Sequence, residues 1–219
     1  MKRHTAILAG ATGLVGGECL KQLVASDAYS HVTVVTRRDL GEAAGNAKVR
    51  QIVCDFDGLG AVRKQLHADH VFCALGTTIR KAGSQQKFRQ VDYEYPLRLA
   101  QLTRMNEARY YSIVSALGAD RKSRVFYSRV KGEVEAALRA MDWPGLCIVR
   151  PSLIAGDRAE SRPLERLAGL ALRCAPATWR PVAARDIAAA MIHTALRSPA
   201  GLTTIESRHI PAAARSAVA

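Results

Sequence analysis

The sequence is poor in several features that mark particular classes of protein. Aromatic residues make up only 5% of its 219 residues, which argues against a surface that stacks the bases of single-stranded nucleic acid. No segment approaches the roughly 20 apolar residues of a membrane-spanning helix, and no signal-peptide cleavage site follows the N-terminus. The five cysteines lack a C-x-x-C pair and metal-ligand spacing. We therefore expect no metal, no membrane partner and, because scattered reduced cysteines suit a reducing compartment, a cytoplasmic protein.

The charge of the chain is strongly positive. Lys and Arg number 32 against 19 Asp and Glu, a formal net charge of +13. Nucleic-acid-binding proteins usually concentrate such charge in one stripe or motif, whereas the basic residues here are spread along the whole chain. We therefore expect no nucleic-acid partner, although the positive field would attract an anionic cofactor or substrate.

Short apolar segments rich in Val and Ile alternate with longer segments of helical period, which is typical of a parallel sheet covered by helices on both faces. Right-handed crossovers then give an α/β fold with a doubly wound, Rossmann-like parallel sheet. The predicted strands are Thr5–Gly10, His31–Arg37, Arg50–Asp55, His70–Leu75, Tyr110–Ser115 and Leu146–Pro151, and the predicted helices are Leu14–Ala25, Asp92–Met105, Tyr127–Met141, Leu164–Cys174 and Arg185–Leu196.

The chain is too short after Pro151 for a second independent domain. We predict a single domain over residues 1–219, with its core at about 4–155. Residues 156–210 would form a small helical portion over the C-terminal edge of the sheet, on the substrate side. Residues 211–219 would be a frayed tail.

A glycine-rich turn follows the first predicted strand and opens the first helix. It reads Gly10-Ala11-Thr12-Gly13-Leu14-Val15-Gly16. The first glycine allows a tight turn, the second lets the backbone approach a pyrophosphate, and the third lets helix and strand pack closely. Glycine turns also occur for purely structural reasons, but this strand–turn–helix setting favours a dinucleotide with its pyrophosphate at the helix N-terminus.

Two arginines, Arg37 and Arg38, end the second predicted strand. NAD-binding proteins place Asp or Glu there for the ribose 2′-hydroxyl, whereas guanidinium groups can pair with the 2′-phosphate of NADP. Asp39 comes one residue too late for the first role. The pair therefore favours NADP(H), and the alternative is two ordinary surface arginines.

Two further strand ends carry residues suited to the same cofactor. Asp55, after the third strand, is placed either to accept a hydrogen bond from the adenine amino group or to cap a turn. The fourth strand ends in Leu75-Gly76-Thr77, where the glycine would let the backbone pass close to the nicotinamide ribose.

Tyr127 and Lys131 are four residues apart on a predicted helix and so share one face. A lysine beside a phenol stabilises the phenolate, which makes Tyr127 a candidate general acid for a carbonyl oxygen that receives a hydride. Lys131 can also hold the nicotinamide ribose, and Ser115 at the end of the fifth strand can hydrogen-bond the substrate oxygen. A Tyr–Lys surface pair is the alternative, but the ordered set of glycine turn, serine, tyrosine and lysine favours catalysis.

These motifs together resemble the atypical members of the short-chain dehydrogenase/reductase superfamily. The segments Cys73–Thr78, Lys81–Gly83, Val91-Asp92, Lys131–Glu135 and Arg150-Pro151 are similar to its Tat-interacting oxidoreductase branch, as is 157–163. The resemblance implies one NADPH-binding domain with catalytic Ser115, Tyr127 and Lys131, and further cofactor contacts from Ile154 and Arg162. Two features depart from the family's pattern. Ser152 stands where relatives often have glycine after Arg150-Pro151. No Asn matches the one that completes the proton relay in well-studied dehydrogenases, and Asn106 is a poor candidate because it lies in a predicted exposed turn.

The sequence therefore predicts an NADPH-dependent oxidoreductase that transfers hydride to or from a small carbonyl or alcohol. An alternative is an NADPH-binding regulatory or redox-sensing protein with little or no catalysis. The resemblance implies either a homodimer through the helices Asp92–Met105 and Tyr127–Met141 or a monomer. The substrate is a small molecule that the sequence does not identify.

Overall fold

The computed structural model describes residues 3–155, 180–197 and 199–215. Its centre is a sheet of seven parallel strands. Along the chain these strands are β1 (His4–Ala9), β2 (Tyr29–Thr36), β3 (Val49–Val53), β4 (His70–Cys73), β5 (Tyr110–Val114), β6 (Gly145–Arg150) and β9 (Gly201–Glu206). A separate parallel pair consists of β7 (Ile154–Ala155) and β8 (Val182–Ala183).

Helices cover both faces of the sheet, as apolar strands without alternation require. Helix α1 (Leu14–Ala25) packs with α6 (Ala184–Arg197) on one face, and α4 (Tyr95–Met105) with α5 (Phe126–Arg139) on the other. The short helices α2 (Ile79–Ala82) and α3 (Gln85–Arg89) follow β4, a π-helical segment (Gln90–Glu94) precedes α4, and α7 (Ile210–Arg215) packs against α6.

The strand order β3-β2-β1-β4-β5-β6-β9 reverses direction between β1 and β4. In doubly wound sheets a crevice opens at this reversal, beyond the carboxyl ends of the strands, and ligands bind there. The glycine turn after β1 and the loop after β4 both lie at this crevice, so the fold brings the two predicted cofactor segments together.

The predicted fold class and all six predicted strands are confirmed. The seventh strand, β9, was missed, and it forms one edge of the sheet beside β6. The expected frayed tail is wrong for residues 211–215, because they continue α7, which is anchored by the fully buried Ile210. The predicted helix Leu164–Cys174 lies outside the described residues.

Candidate active site

The glycine turn adopts a conformation that side chains would block. Gly10 has a φ of +93°, and a Cβ added there would lie 2.5 Å from the carbonyl oxygen of Ala74. A Cβ on Gly16 would lie 1.9 Å from the carbonyl oxygen of Gly10, so only glycine lets α1 start this close to β1. Gly13 is the N-cap and offers no side-chain acceptor to the first amides of the helix. The turn therefore has the backbone form that a pyrophosphate site requires.

Most of the predicted cofactor residues line one cavity of about 450 Å³, a size typical of small-molecule sites. Its walls come from the carboxyl ends of β1, β2 and β4 and from the short helices α2 and α3. The predicted residues found there are Gly10, Ala11, Thr12, Gly13, Arg37, Arg38, Leu75, Gly76 and Thr77. Leu14, Val15 and Gly16 form the adjoining first turn of α1, where Val15 and Gly16 are buried.

The turn after β2 presents the two arginines at this cavity. The Thr36 hydroxyl donates to the carbonyl oxygen of Arg38 at 2.9 Å, which closes the turn. Asp39 turns its carboxylate to the amide of Gly41 at 2.6 Å, and thus into its own loop. Within the described ranges neither guanidinium group has an ion-pair partner, so both are available to an anion.

Two lysines in the cavity wall, Lys81 and Lys87, were not predicted. They lie on the short helices α2 and α3, whose first turns are capped by the hydroxyls of Thr78 and Ser84. Lys81 belongs to a segment that carried the family resemblance, but the sequence alone gave it no role. Both lysines thus line the same cavity as Arg37 and Arg38.

Tyr127 and Lys131 share one face of α5, as predicted, but their environments differ. The ring of Tyr127 packs against Phe88, with 5.5 Å between ring centroids. Lys131 is buried, and its Nζ lies 2.8 Å from Oδ1 of Asp92. The same Nζ is 3.9 Å from the position of a Cβ on Gly76, so it reaches the loop that lines the cavity.

The charge of Lys131 is set by two opposing effects. Burial disfavours the ammonium form, but the Asp92 carboxylate, with a smaller effect from Tyr127, outweighs it and raises the pKa of Lys131. Lys131 is thus a cation throughout the physiological range. Asp92 was missed as a site residue because it was taken only as the start of a helix and as part of the Val91-Asp92 segment that carried the family resemblance.

Ser115 departs from its predicted role. Its side chain is buried, and its hydroxyl donates to Oε1 of Glu135 at 2.5 Å. Arg150 binds the same carboxylate through Nε at 2.9 Å and through its terminal nitrogen at 2.5 Å, and this pairing raises the pKa of Arg150. With its single donor taken, Ser115 has no hydrogen to offer a substrate oxygen in this arrangement.

The remaining predicted residues lie at the margin of the site or elsewhere. Asp55 caps a 3-10 turn by accepting from the amide of Asp57, which was one of its two predicted roles. Ile154 is exposed on β7, and Arg162 lies outside the described residues. Asn106 donates from its side-chain amide to the carbonyl oxygens of Arg63 and Leu66. Ser152 donates to the carbonyl oxygen of Arg180, which links the chain before β7 to the chain before β8.

The sequence matches an established family model and several curated proteins. The NAD dependent epimerase/dehydratase family model matches residues 6–175. Protein HTATIP2 of Rattus norvegicus is 36% identical over 82% of this chain and 74% of its own length. The mitochondrial protein fmp52 of Emericella nidulans is 36% identical over 74% of this chain and 71% of its own length.

Solved structures show the same fold at low sequence identity. MoeE5 in complex with UDP-glucose and NAD has a TM-score of 0.70 at 16% identity and covers 92% of this chain and 76% of its own. A UDP-N-acetylglucosamine 4-epimerase of Methanobrevibacter ruminantium has a TM-score of 0.71 at 14% identity, over 94% and 77% of the two chains. These neighbours are Rossmann-fold proteins, which agrees with the seven-stranded parallel sheet.

The comparisons correct the expected location. The fungal relatives, including proteins of Emericella nidulans and Candida glabrata, carry the word mitochondrial in their names. This contradicts the cytoplasmic location inferred from the scattered cysteines, because a reducing interior is not unique to the cytoplasm. Across the described ranges the structure contains no helix with the length and hydropathy of a membrane span.

The glycine turn, the Tyr127–Lys131 pair and the similarity to known proteins all point to the same family. The match spans most of the chain and includes the segments that carried the resemblance. The chain belongs to the NAD-dependent epimerase/dehydratase family, as an atypical short-chain dehydrogenase/reductase-like NAD(P)-binding protein of the HTATIP2 branch.

Proposed function

We propose that this protein is an NADPH-dependent oxidoreductase that acts on a small carbonyl or alcohol. The observation that carries the proposal is the position of Lys131, which reaches the cavity-lining loop at Gly76 from the helix that also bears Tyr127. A site that only bound the cofactor would have no use for a phenol next to this lysine.

The residues of the cavity fit a nicotinamide dinucleotide. The glycine turn provides a backbone cradle that a Cβ would fill at Gly10 or Gly16. Arg37 and Arg38 would hold the 2′-phosphate, and Lys87 lines the same cavity. Asp55 would contact the adenine, and the loop Leu75–Thr77 would follow the nicotinamide half. By resemblance, Ile154 and Arg162 would add contacts from the C-terminal portion.

The bound cofactor would supply or accept a hydride at a carbonyl carbon. Tyr127 would donate a proton from its hydroxyl to the substrate oxygen during reduction and take it back during oxidation. Lys131 would fix the ribose and give the phenol a charged neighbour. Ser115, which was expected to orient the substrate, would instead hold Glu135 and Arg150 and so fix the end of β5 beneath α5.

A second function is favoured by one observation, the commitment of the Ser115 hydroxyl to Glu135. Without this donor, the site has one group fewer to orient a substrate oxygen. The second candidate is therefore an NADPH-binding regulatory or redox-sensing protein whose partners respond to cofactor occupancy.

Tyr127→Phe separates these two candidates. The variant should bind NADPH with unchanged affinity in calorimetry, because in this proposal the phenol hydroxyl acts on the substrate oxygen and the other residues hold the dinucleotide. A panel of small aldehydes and ketones, followed at the nicotinamide absorbance, should show turnover with wild type and none with the variant. Equal rates for both would overturn the role of Tyr127, and a wild type that binds NADPH but reduces nothing in the panel would favour the regulatory function.

A further inference from the structure

Asp92 is an acidic residue in an unusually buried position. It lies in the π-helical segment Gln90–Glu94, and it is 1% exposed. A carboxylate this deep is costly unless it is paired and hydrogen-bonded. Single π-turns within helices also occur often at functional sites, so the local winding and the burial both call for an explanation.

The two carboxylate oxygens of Asp92 have different partners. Oδ1 lies 2.8 Å from Nζ of Lys131 on α5. Oδ2 accepts a hydrogen bond from the backbone amide of Thr77 at 2.9 Å. One side chain thus joins the cavity-lining loop after β4 to the helix that carries Tyr127.

The surroundings of Lys131 show what this carboxylate does. The side chain of Lys131 is 5% exposed, so burial alone would lower the pKa of Lys131. The groups that face it are Asp92 from the π-segment, Tyr127 from α5, the thiol of Cys73 from β4 and the carbonyl oxygen of Val114 from β5 at 3.4 Å. Among these groups, Asp92 is the one that forms an ion pair with the ammonium group.

We propose that Asp92 is a positioning residue that keeps Lys131 charged and fixed beside Gly76, where it meets a bound nicotinamide cofactor. This inference rests on the proposed function. Because the ion pair is neutral as a whole, Lys131 acts on Tyr127 and on the ribose as a fixed hydrogen-bond donor rather than as an isolated cation. The loop after β4, Lys131 and helix α5 therefore keep fixed positions relative to one another.

Asp92→Asn tests the charge with little change of shape, since its amide oxygen can still accept from Thr77. The affinity of wild type for NADPH, measured by calorimetry between about pH 6 and pH 9, should not change through titration of Lys131, because the raised pKa keeps its ammonium group protonated over this range. In the variant, burial dominates and lowers the pKa of Lys131, so the dissociation constant should rise about tenfold with pH as the donor loses its proton. Lys131→Met should bind weakly and show no such rise. An equally flat profile for Asp92→Asn and wild type would overturn the proposal.

Thermal unfolding of the cofactor-free protein gives a readout that does not depend on the cofactor. With a lowered pKa for Lys131, the unfolded Asp92→Asn chain binds more protons than the folded one between that lowered pKa and about pH 10, so across this window its Tm should increase with pH relative to wild type. The double variant Asp92→Asn/Lys131→Met should lose this trend and melt higher than Asp92→Asn, because no buried charge is left unpaired.

The outcomes separate this inference from the proposed function. A double variant that is no more stable than Asp92→Asn would show that Asp92 does not hold the charge of Lys131. If Asp92→Asn fails to fold, recovery of folding in the double variant supports the pair, and failure of both overturns it. A wild type that binds no nicotinamide cofactor would overturn the proposed function and the cofactor role of Lys131, while the unfolding series still decides the ion pair.

Discussion

Two neighbouring glycines on α1 give a test of the turn geometry with a matched control. A Cβ on Gly16 would lie 1.9 Å from the carbonyl oxygen of Gly10, whereas a Cβ on Gly17 would lie 3.4 Å from that of Ala11. The first clash is with backbone, so Gly16→Ala must displace the turn or the helix. Gly17→Ala makes an ordinary contact and gains the higher helix propensity of alanine.

The magnitudes predict opposite signs for the two variants. Gly17→Ala should stabilise the protein by up to about 1 kcal/mol through propensity. Gly16→Ala should destabilise the protein by about 2–3 kcal/mol, because the cost of the clash with the backbone outweighs the gain in helix propensity. At roughly 2–4 °C per kcal/mol for a domain of this size, the two Tm values should differ by about 10 °C, and only Gly16→Ala should weaken NADPH binding. Equal Tm values and equal affinities would refute the close approach of helix and strand.

Two further predictions concern buried polar groups. Ser115→Ala should retain turnover within a fewfold of wild type but lower the unfolding free energy by about 1–2 kcal/mol in urea, because the Glu135 carboxylate loses a donor; a loss of turnover with intact stability would instead restore the catalytic role of Ser115. Burial, together with His4, lowers the pKa of His70 from 6.5 to about 4. The unfolded chain therefore binds the extra proton first, and about 3 kcal/mol of stability should be lost as pH falls from about 6.5 to about 4. His70→Gln should flatten this part of the urea-unfolding profile, and an unchanged profile would contradict the assignment.

The sequence predicts those parts of the site that depend on local chain geometry. The glycine turn needs only a strand before it and a helix after it, and Arg37 and Arg38 need only a strand end. Tyr127 and Lys131 are fixed by helical spacing. In each case the residues that define the motif lie within a few positions of one another, so the sequence alone shows the pattern.

The rest depends on contacts between distant segments. Asp92 was not recognised because its partner, Lys131, lies on another helix and because a π-turn has no clear sequence signal. Ser115 was predicted to bind the substrate because nothing in the sequence indicates that its hydroxyl donates to Glu135, which also binds Arg150. Strand β9 was missed because its Leu-Thr-Thr-Ile core is short and borders the sheet only through β6.

Cofactor preference is the most direct test of the account. Calorimetry of wild type with NADPH and NADH should show at least tenfold tighter binding of NADPH, since each charge-assisted contact to a phosphate contributes about 1.5–3 kcal/mol. Arg37→Ser and Arg38→Ser should remove most of this preference and leave NADH affinity unchanged. Arg109→Ser, which removes an equal charge at the opposite end of the sheet, should leave the preference intact. Tighter binding of NADH by wild type, or an equal loss in all three variants, would contradict the account.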